Sequence, residues 1–191
     1  AFLKSAGYRQ DSMRRFVRQP GERRYSACGF GTSLALGCGG RSYLGNLHFC
    51  SPYAVAQKEC LSRLMDYEQT QDYTQITHGI LLSEEEMKRR YLIRHLLIQP
   101  GLSLNGYQKA FGSAAMEEFP VLNDWLESGY VERSEKSCGM AADVARAEKK
   151  AVFLSLTAEG MGLSDYLGPM LISEKVRSLM KEWERDAEHP G

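Results

Sequence analysis

A short apolar run, Thr32–Leu36, stops abruptly at Gly37-Cys38-Gly39-Gly40, and Arg41-Ser42 follow at once. An apolar strand that ends in a glycine cluster is one way a buried parallel strand delivers its backbone to a ligand. Arg41 then offers a guanidinium and Ser42 a hydroxyl, groups that suit an anionic or ribose-bearing ligand. The plainer reading is a tight turn that needs positive φ. The functional reading requires Leu34–Gly40 to be a sheet strand that opens onto a cleft. Further cations lie upstream at Arg14, Arg15, Arg18, Arg23 and Arg24. Such a run ordinarily marks a solvated face, and its functional use is bidentate recognition of carboxylates or phosphates.

The remaining reactive residues form no motif. Cys28, Cys38, Cys50 and Cys60 are spaced by ten, twelve and ten residues, and Cys138 stands apart. That spacing fits neither CxxC pairs nor zinc patterns, and an odd number does not close a disulfide framework. Reduced cytosolic thiols, several of them buried, are the expectation. His48, His78, His95 and His189 are scattered, with none at helical i, i+4 spacing from another, so no metal site is supported. No nucleophile–base pair or paired-carboxylate arrangement emerges.

These residues sit in a chain with 24 Lys+Arg and 24 Asp+Glu, a balance that disfavours a globally basic nucleic-acid binder and an acidic tail alike. A hydrophobic share of 43% argues against disorder. No apolar run reaches the ~18–20 residues of a membrane span, and the opening AFLKSAGY lacks a signal-peptide pattern. A chain starting at Ala1 reads as processed or as cut from something longer. The neutral total conceals an asymmetry: residues 1–60 hold nine Lys/Arg against three acids, so a boundary near 70–82 is expected. Tyr67–Gly79 is polar and reads as a connector.

The pattern predicts a helical turn in AFLKSA ended by Gly7, a strand over Tyr8–Val17, and a turn at Gln19-Pro20-Gly21-Glu22. Ser51-Pro52 is expected to open a helix with Ser51 as N-cap. Its apolar stripe is Ala56, Cys60, Leu64 and Tyr67, with Leu61 and Met65 alongside. Ser83-Glu84-Glu85-Glu86 is a capping box between Leu82 and Met87, which are placed as a hydrophobic staple. That helix should run to Ile98 and stop at Gln99-Pro100-Gly101. A short helix at Tyr107–Phe111 ends at Gly112. Another starts near Ser113, turns Phe119, Leu122, Trp125 and Leu126 inward, breaks or kinks at Pro120, and ends at Gly129. Tyr130–Arg133 and Ala151–Leu156 read as a hairpin with a long tip, Thr157 restarts a helix, and Ser173–Ala187 is a final amphipathic helix. Three helices followed by a hairpin is a winged-helix order.

Charge decides what that order implies. The helix that would enter a major groove, residues 113–127, carries Glu117, Glu118, Asp124 and Glu127 and no Lys or Arg. DNA binding needs several neutralised phosphates. The hairpin tip interleaves Lys136, Arg146, Lys149 and Lys150 with Glu135, Asp143 and Glu148. A structural cap is favoured over DNA binding.

Two stretches together resemble the C-terminal portion of the HemN-like, oxygen-independent coproporphyrinogen III oxidase-like radical SAM proteins. One runs from Gly7-Tyr8-Arg9-Gln10 through Leu36-Gly37-Cys38-Gly39-Gly40-Arg41-Ser42-Tyr43-Leu44-Gly45. The other, Leu156-Thr157-Ala158-Glu159-Gly160-Met161-Gly162-Leu163-Ser164-Asp165-Tyr166-Leu167-Gly168-Pro169, is similar to that family's LT-x-x-G-x-x-x-SD-x-x-G-P signature. Glu84–Gly101 and Phe119-Pro120-x-Leu122 also fit. The motifs come in the family's order and cover nearly the whole chain. The family's CxxxCxxC is absent, its usual histidine in the glycine motif is Arg41, and its tyrosine and glutamate after the GY segment are replaced around Asp11-Ser12. These departures imply a paralogue acting on another substrate.

The resemblance implies an α+β fold: the last strands of a partial (β/α) barrel and a connector over 1–80, then a winged-helix-like, mainly helical domain over 81–191. It implies a cytoplasmic enzyme in which a [4Fe-4S] cluster, ligated by a missing N-terminal part, reduces S-adenosylmethionine to a radical that abstracts hydrogen from substrate. Gly37, Cys38, Gly39, Gly40, Arg41 and Ser42 would approach S-adenosylmethionine or substrate. Arg14 and Arg15 would meet the carboxylates of an anionic, tetrapyrrole-like molecule. The second domain would cover the opening and exclude water, and the chain alone would be catalytically silent. The alternative is a stand-alone winged-helix module that binds protein or nucleic acid. A third option is a structural domain whose glycines only shape a turn.

Overall fold

Apolar side chains are distributed unevenly along this chain, and the fold divides accordingly. The computed structural model describes residues 2–18, 31–52, 54, 56–136 and 151–188. Two packing units result: Ala1–Glu22 together with Lys88–Gly191, and Arg23–Met87. Residues 2–18 thus pack with the C-terminal elements, although the resemblance assigns them to the barrel part. Small sheets and helices alternate in an α+β arrangement, and every strand pair among the described residues is antiparallel. The buried parallel strand expected at Thr32–Leu36 is not among them; the short, turn-connected strands pair antiparallel.

Helix α1 (Phe2–Ser5) ends at Gly7, whose φ is 82°. The expected strand over Tyr8–Val17 is a hairpin, β1 (Tyr8–Ser12) with β2 (Arg15–Arg18), folded at Met13-Arg14 and bulged between Gln10 and Ser12. No Gly or Pro marks that reversal; its signal is Asp11-Ser12 at the entry, turn-forming types that the strand reading passed over. The turn expected at Gln19–Glu22 lies outside the described residues.

Within the second unit, β3 (Arg41–Leu44) and β4 (Leu47–Cys50) form a hairpin across Gly45-Asn46, with Gly45 at φ 60°. Helix α2 (Gln57–Glu68) follows, and β5 (His78–Leu81), in the segment expected to be a connector, completes a three-stranded sheet in the order β3-β4-β5. Thr32–Leu36 is not a buried parallel strand. Only Ser33 bridges Tyr43, antiparallel, and Leu34 and Leu36 are 69% and 96% exposed. Ser51 does not cap α2; Ala56 occupies that position, while the Ser51 hydroxyl accepts from the Gly39 amide at 2.7 Å. The stripe on α2 exists, yet no residue of that helix is buried. Among the described residues this unit buries only Ser42 and Glu86.

The remaining elements build the core. Helix α3 (Glu84–Leu96) opens as expected: the Glu86 amide donates to Ser83 Oγ at 3.3 Å. A two-residue strand that the pattern missed, β6 (Leu102–Ser103), leads into α4 (Leu104–Phe111), which is capped by Ser103 and stopped by Gly112 at φ 77°. The helix expected from Ser113 is two, α5 (Ala115–Glu118) and α6 (Val121–Glu127), broken at Phe119-Pro120 because Pro cannot continue the amide ladder. Strands β7 (Val131–Lys136) and β8 (Ala151–Leu156) pair, and β6 joins β8, giving the order β6-β8-β7. Then come α7 (Ala158–Gly162), α8 (Ser164–Met170) and α9 (Glu174–Glu188). Leu92, Leu102, Tyr107, Leu122, Leu154 and Leu171 are completely buried between these layers. No described helix is long and apolar enough to cross a membrane.

Candidate functional site

The glycine cluster folds into a turn that satisfies itself. Gly37 and Gly39 take φ of 96° and 72°, the region that favours glycine. The Gly40 amide donates to Gly37 O at 3.1 Å, and the Gly39 amide goes to Ser51 Oγ. Ser42, only 3% exposed, accepts from the Ala35 amide at 3.1 Å. A Cβ on Gly40 would lie 2.9 Å from Ala35 Cβ, so this glycine permits a close approach within the turn. The amides of Gly39 and Gly40 and the Ser42 hydroxyl are thus engaged internally, unlike a cradle whose donors face a phosphate. Cys38 Sγ lies 3.9 Å from Pro52 O and 3.8 Å from Arg63 O. Arg41 is exposed.

Strand register adds neighbours that sequence spacing did not reveal. Arg41 pairs with Cys50, and Cys50 with His78, so a guanidinium, a thiol and an imidazole share one row across three strands. The next row on that face is Tyr43, His48 and Ile80, with the Tyr43 and His48 rings edge-on at 4.7 Å. Finding this row needs two strand pairings, one of them to a strand hidden in a polar stretch. Cys38 and Cys50 are half-buried and Cys60 is exposed, so none of the three described thiols is buried as expected. The reason is that their unit has no apolar core to bury them. Cys28, Cys138, His189, Arg23 and Arg24 lie outside the described residues.

Arg14 and Arg15 belong to the other unit, and carboxylates attend both. Arg14 pairs with Asp165 at the start of α8. Arg15 Nε is 3.9 Å from Asp11 Oδ2, while Arg9 Nε donates to Asp11 Oδ1 at 3.0 Å. Asp11 is 7% exposed, and its carbonyl accepts from the Gln99 amide at 2.7 Å. The hairpin β1–β2 is therefore held to the helical body by polar contacts.

The second motif stretch has an architectural role. Thr157 caps α7 by accepting from the Gly160 amide at 3.1 Å. A Cβ at Gly160 would meet Tyr130 O at 1.9 Å, and one at Gly168 would meet Leu97 Cδ1 at 2.9 Å. Ser164 is buried, Asp165 holds Arg14, and Pro169 O accepts from Arg177 Nη2 at 2.7 Å.

Three titratable groups of this unit depart from their ordinary values, one of them Tyr91, whose hydroxyl burial pushes up. Lys88 Nζ at 2.6 Å, and the Tyr107 hydroxyl donating at 2.5 Å, hold the Glu118 carboxyl below its usual range. Burial pushes His95 down, although its Nδ1 lies 2.8 Å from Tyr91 O; its ring stacks on Tyr91 at 3.9 Å. His95 is part of the packed interior, whereas Glu118 lies at the surface with its carboxylate engaged by Lys88 and Tyr107, so neither lines an open cleft.

The donor set does not fit an iron–sulfur cluster. The sequence lacks CxxxCxxC, and among the described residues no three His, Cys, Asp or Glu side chains come together as metal ligands. The turn at Gly37–Ser42 likewise presents Arg41 rather than a set of free amides, so no chemical step is derived from these residues.

No protein-family model matches the chain, and no curated protein matches it. Among solved structures, its fold is similar to that of coproporphyrinogen III oxidase (HemN) from Escherichia coli, described as a radical SAM enzyme. The match has 16% sequence identity and a TM-score of 0.55, over 89% of this chain. The chain spans 38% of the length of that structure.

Proposed function

We propose that this chain is the C-terminal part of a cytoplasmic HemN-like radical S-adenosylmethionine enzyme that acts on a tetrapyrrole or a related anionic substrate. Residues 1–80 are the end of its barrel and a connector, and 81–191 its C-terminal domain, catalytically silent alone. The observation that carries this reading is the fold likeness to HemN over 89% of the chain, in agreement with the motif order. The strand expected at Leu34–Gly40 does not form, so the requirement set for the glycine cluster as a ligand-binding strand end fails, and what supports the proposal is the fold likeness and the motif order alone. The S-adenosylmethionine and the [4Fe-4S] cluster belong with the upstream polypeptide. Arg14 and Arg15 exchange Asp165 and Asp11 for substrate carboxylates. Reconstitution with iron and sulfide tests the division of labour: this chain takes up no stoichiometric, EPR-active [4Fe-4S] cluster. A cluster formed on it overturns the proposal, as does an upstream reading frame without CxxxCxxC.

A second reading has its own support, because the unit containing Lys88–Gly191 holds a complete apolar core. In that reading it is a stand-alone winged-helix interaction module. Acidic residues on α5 and α6 favour protein over nucleic acid as its partner, and a salt-dependent shift of duplex DNA at low micromolar protein would reverse that preference.

A further inference from the structure

Pairing of β3, β4 and β5 creates a nucleophile–base pair that the linear sequence hides. Cys50 stands opposite Arg41 on one side and His78 on the other, so the three side chains leave one face of the sheet, with neighbouring Cβ atoms about 5 Å apart. Arg41 and His78 are exposed, and Cys50 is half-buried and unbridged. The three strands carry no Asp or Glu; Arg41 is their fixed charge, and His48 and His78 are their other bases. A partly open thiol between a guanidinium and an imidazole has the setting of a reactive cysteine. Cys38 and Cys60 differ. Cys38 Sγ lies against the carbonyls of Pro52 and Arg63, and Cys60 Sγ is 3.0 Å from Ala54 O.

We infer that Cys50 is a site of thiol–disulfide exchange with small disulfides that carry carboxylates, an inference independent of the enzyme reading above. Each member of the row has one task. The Cys50 sulfur attacks one sulfur of the reagent, so a new S–S bond forms as the old one breaks. The thiol proton passes to His78 and from there to the departing thiolate, and no oxidant beyond the disulfide itself is consumed. In the tautomer whose Nδ1–H donates to Thr77 Oγ1, 3.0 Å away, His78 Nε2 keeps a lone pair for that proton. Arg41 receives a carboxylate of the reagent. Acyl transfer by the same pair is disfavoured, because it needs donors aimed at an oxyanion. The adjacent turn spends the Gly39 amide on Ser51 Oγ and the Gly40 amide on Gly37 O. Attack on a disulfide sulfur requires no such donors.

The test exposes the reduced chain to oxidised glutathione, which is anionic, or to cystamine, which is cationic, at low ionic strength. Peptide mass spectrometry follows the adducts at Cys50 and Cys60. Cys60 is the internal control, since Lys58 and Arg63 balance Glu59 and Asp66 around it on α2. Relative to Cys60, Cys50 favours oxidised glutathione over cystamine by about 10-fold, the scale of one charge about 6 Å away that attracts one reagent and repels the other. Arg41→Gln removes that preference, and Arg41→Lys restores most of it. His78→Gln slows exchange at Cys50 with both reagents alike, and Cys50→Ser abolishes the selective adduct while leaving that on Cys60. Added salt collapses the wild-type preference with no substitution at all, which reads the charge even where a variant does not fold. The inference is overturned by absence of an adduct at Cys50, by equal preference at the two cysteines, by a preference that survives salt or Arg41→Gln in a folded chain, or by an undiminished rate in His78→Gln.

Discussion

Replacing Gly160 by Ala tests whether the second motif is architectural. The new Cβ would stand 1.9 Å from Tyr130 O and 2.8 Å from its carbonyl carbon. The carbonyl cannot easily retreat, because it accepts from the Thr157 amide at 3.0 Å and lies 3.3 Å from Thr157 Oγ1. Helix α7 is fixed by the Thr157 cap on Gly160 itself. Relief therefore requires a shift of about 1 Å between a helix start and a strand start, an overpacking cost of about 1–3 kcal/mol. Weakening the Tyr130 hydrogen bonds adds about 1 kcal/mol. Helix propensity returns about 1 kcal/mol of this on going from Gly to Ala. The net expectation is a loss of about 2 kcal/mol, or roughly 4–8 °C in Tm for a chain of this size. Gly162→Ala is the control: it sits in the same helix with nothing within 4 Å of its Cβ position, so it should be neutral or stabilising by up to about 1 kcal/mol. Urea unfolding followed by fluorescence, with Trp125 buried in the same unit, reads both. Equal stability of Gly160→Ala and wild type, or a reversed order of the two variants, refutes the reasoning.

Other outcomes follow from the titratable groups and the thiols. The folded state keeps His95 neutral below its ordinary value through burial, so the unfolded chain binds more protons as pH falls through about 6.5. Stability should decline from pH 7.5 to 5.5, and His95→Gln should flatten that decline in denaturant titrations. Glu118 is held low by Lys88 and Tyr107, so its contribution is present above the ordinary carboxyl value and is lost as pH falls through the folded value. Tyr107→Phe should cost about 1–2 kcal/mol at pH 7 and shrink the acid-limb loss, as measured by unfolding at pH 7 and pH 3.5. Cys60 is exposed whereas Cys38 and Cys50 are half-buried; brief alkylation of the native protein, read by mass spectrometry, should modify Cys60 before Cys38 and Cys50.

Local chemistry was legible where a residue acts on its own backbone. Ser83 before the acidic turn, Pro120 between two helical turns, and Gly112 and Gly129 at helix ends each announced a boundary that the fold contains. Features set by distant partners were hidden. Strand β5 exists because β4 offers it a ladder, and β6 because β8 does; neither stretch has the alternation or length that would mark it alone. Thr32–Leu36 misled for the converse reason. Its apolarity signals a demand for burial, while the covering partner is not among the neighbours folded here. Ser51 misled because one hydroxyl oxygen had two possible uses, and the Gly39 amide took it. The row of Arg41, Cys50 and His78 could not be read at all without the registers of both strand pairs.

The contacts of the first hairpin bear on the order of assembly during synthesis. Asp11 meets Gln99 and Arg14 meets Asp165, so the hairpin of residues 8–18 is housed by partners that are synthesised much later. Everything from 23 to 87 is a detour that departs from one body and must come back to it. Until that return, residues 8–18 have no lodging, and a nascent chain stalled short of residue 99 should leave them open to protease. A shortened detour that still bridges its two ends should let the body form without it.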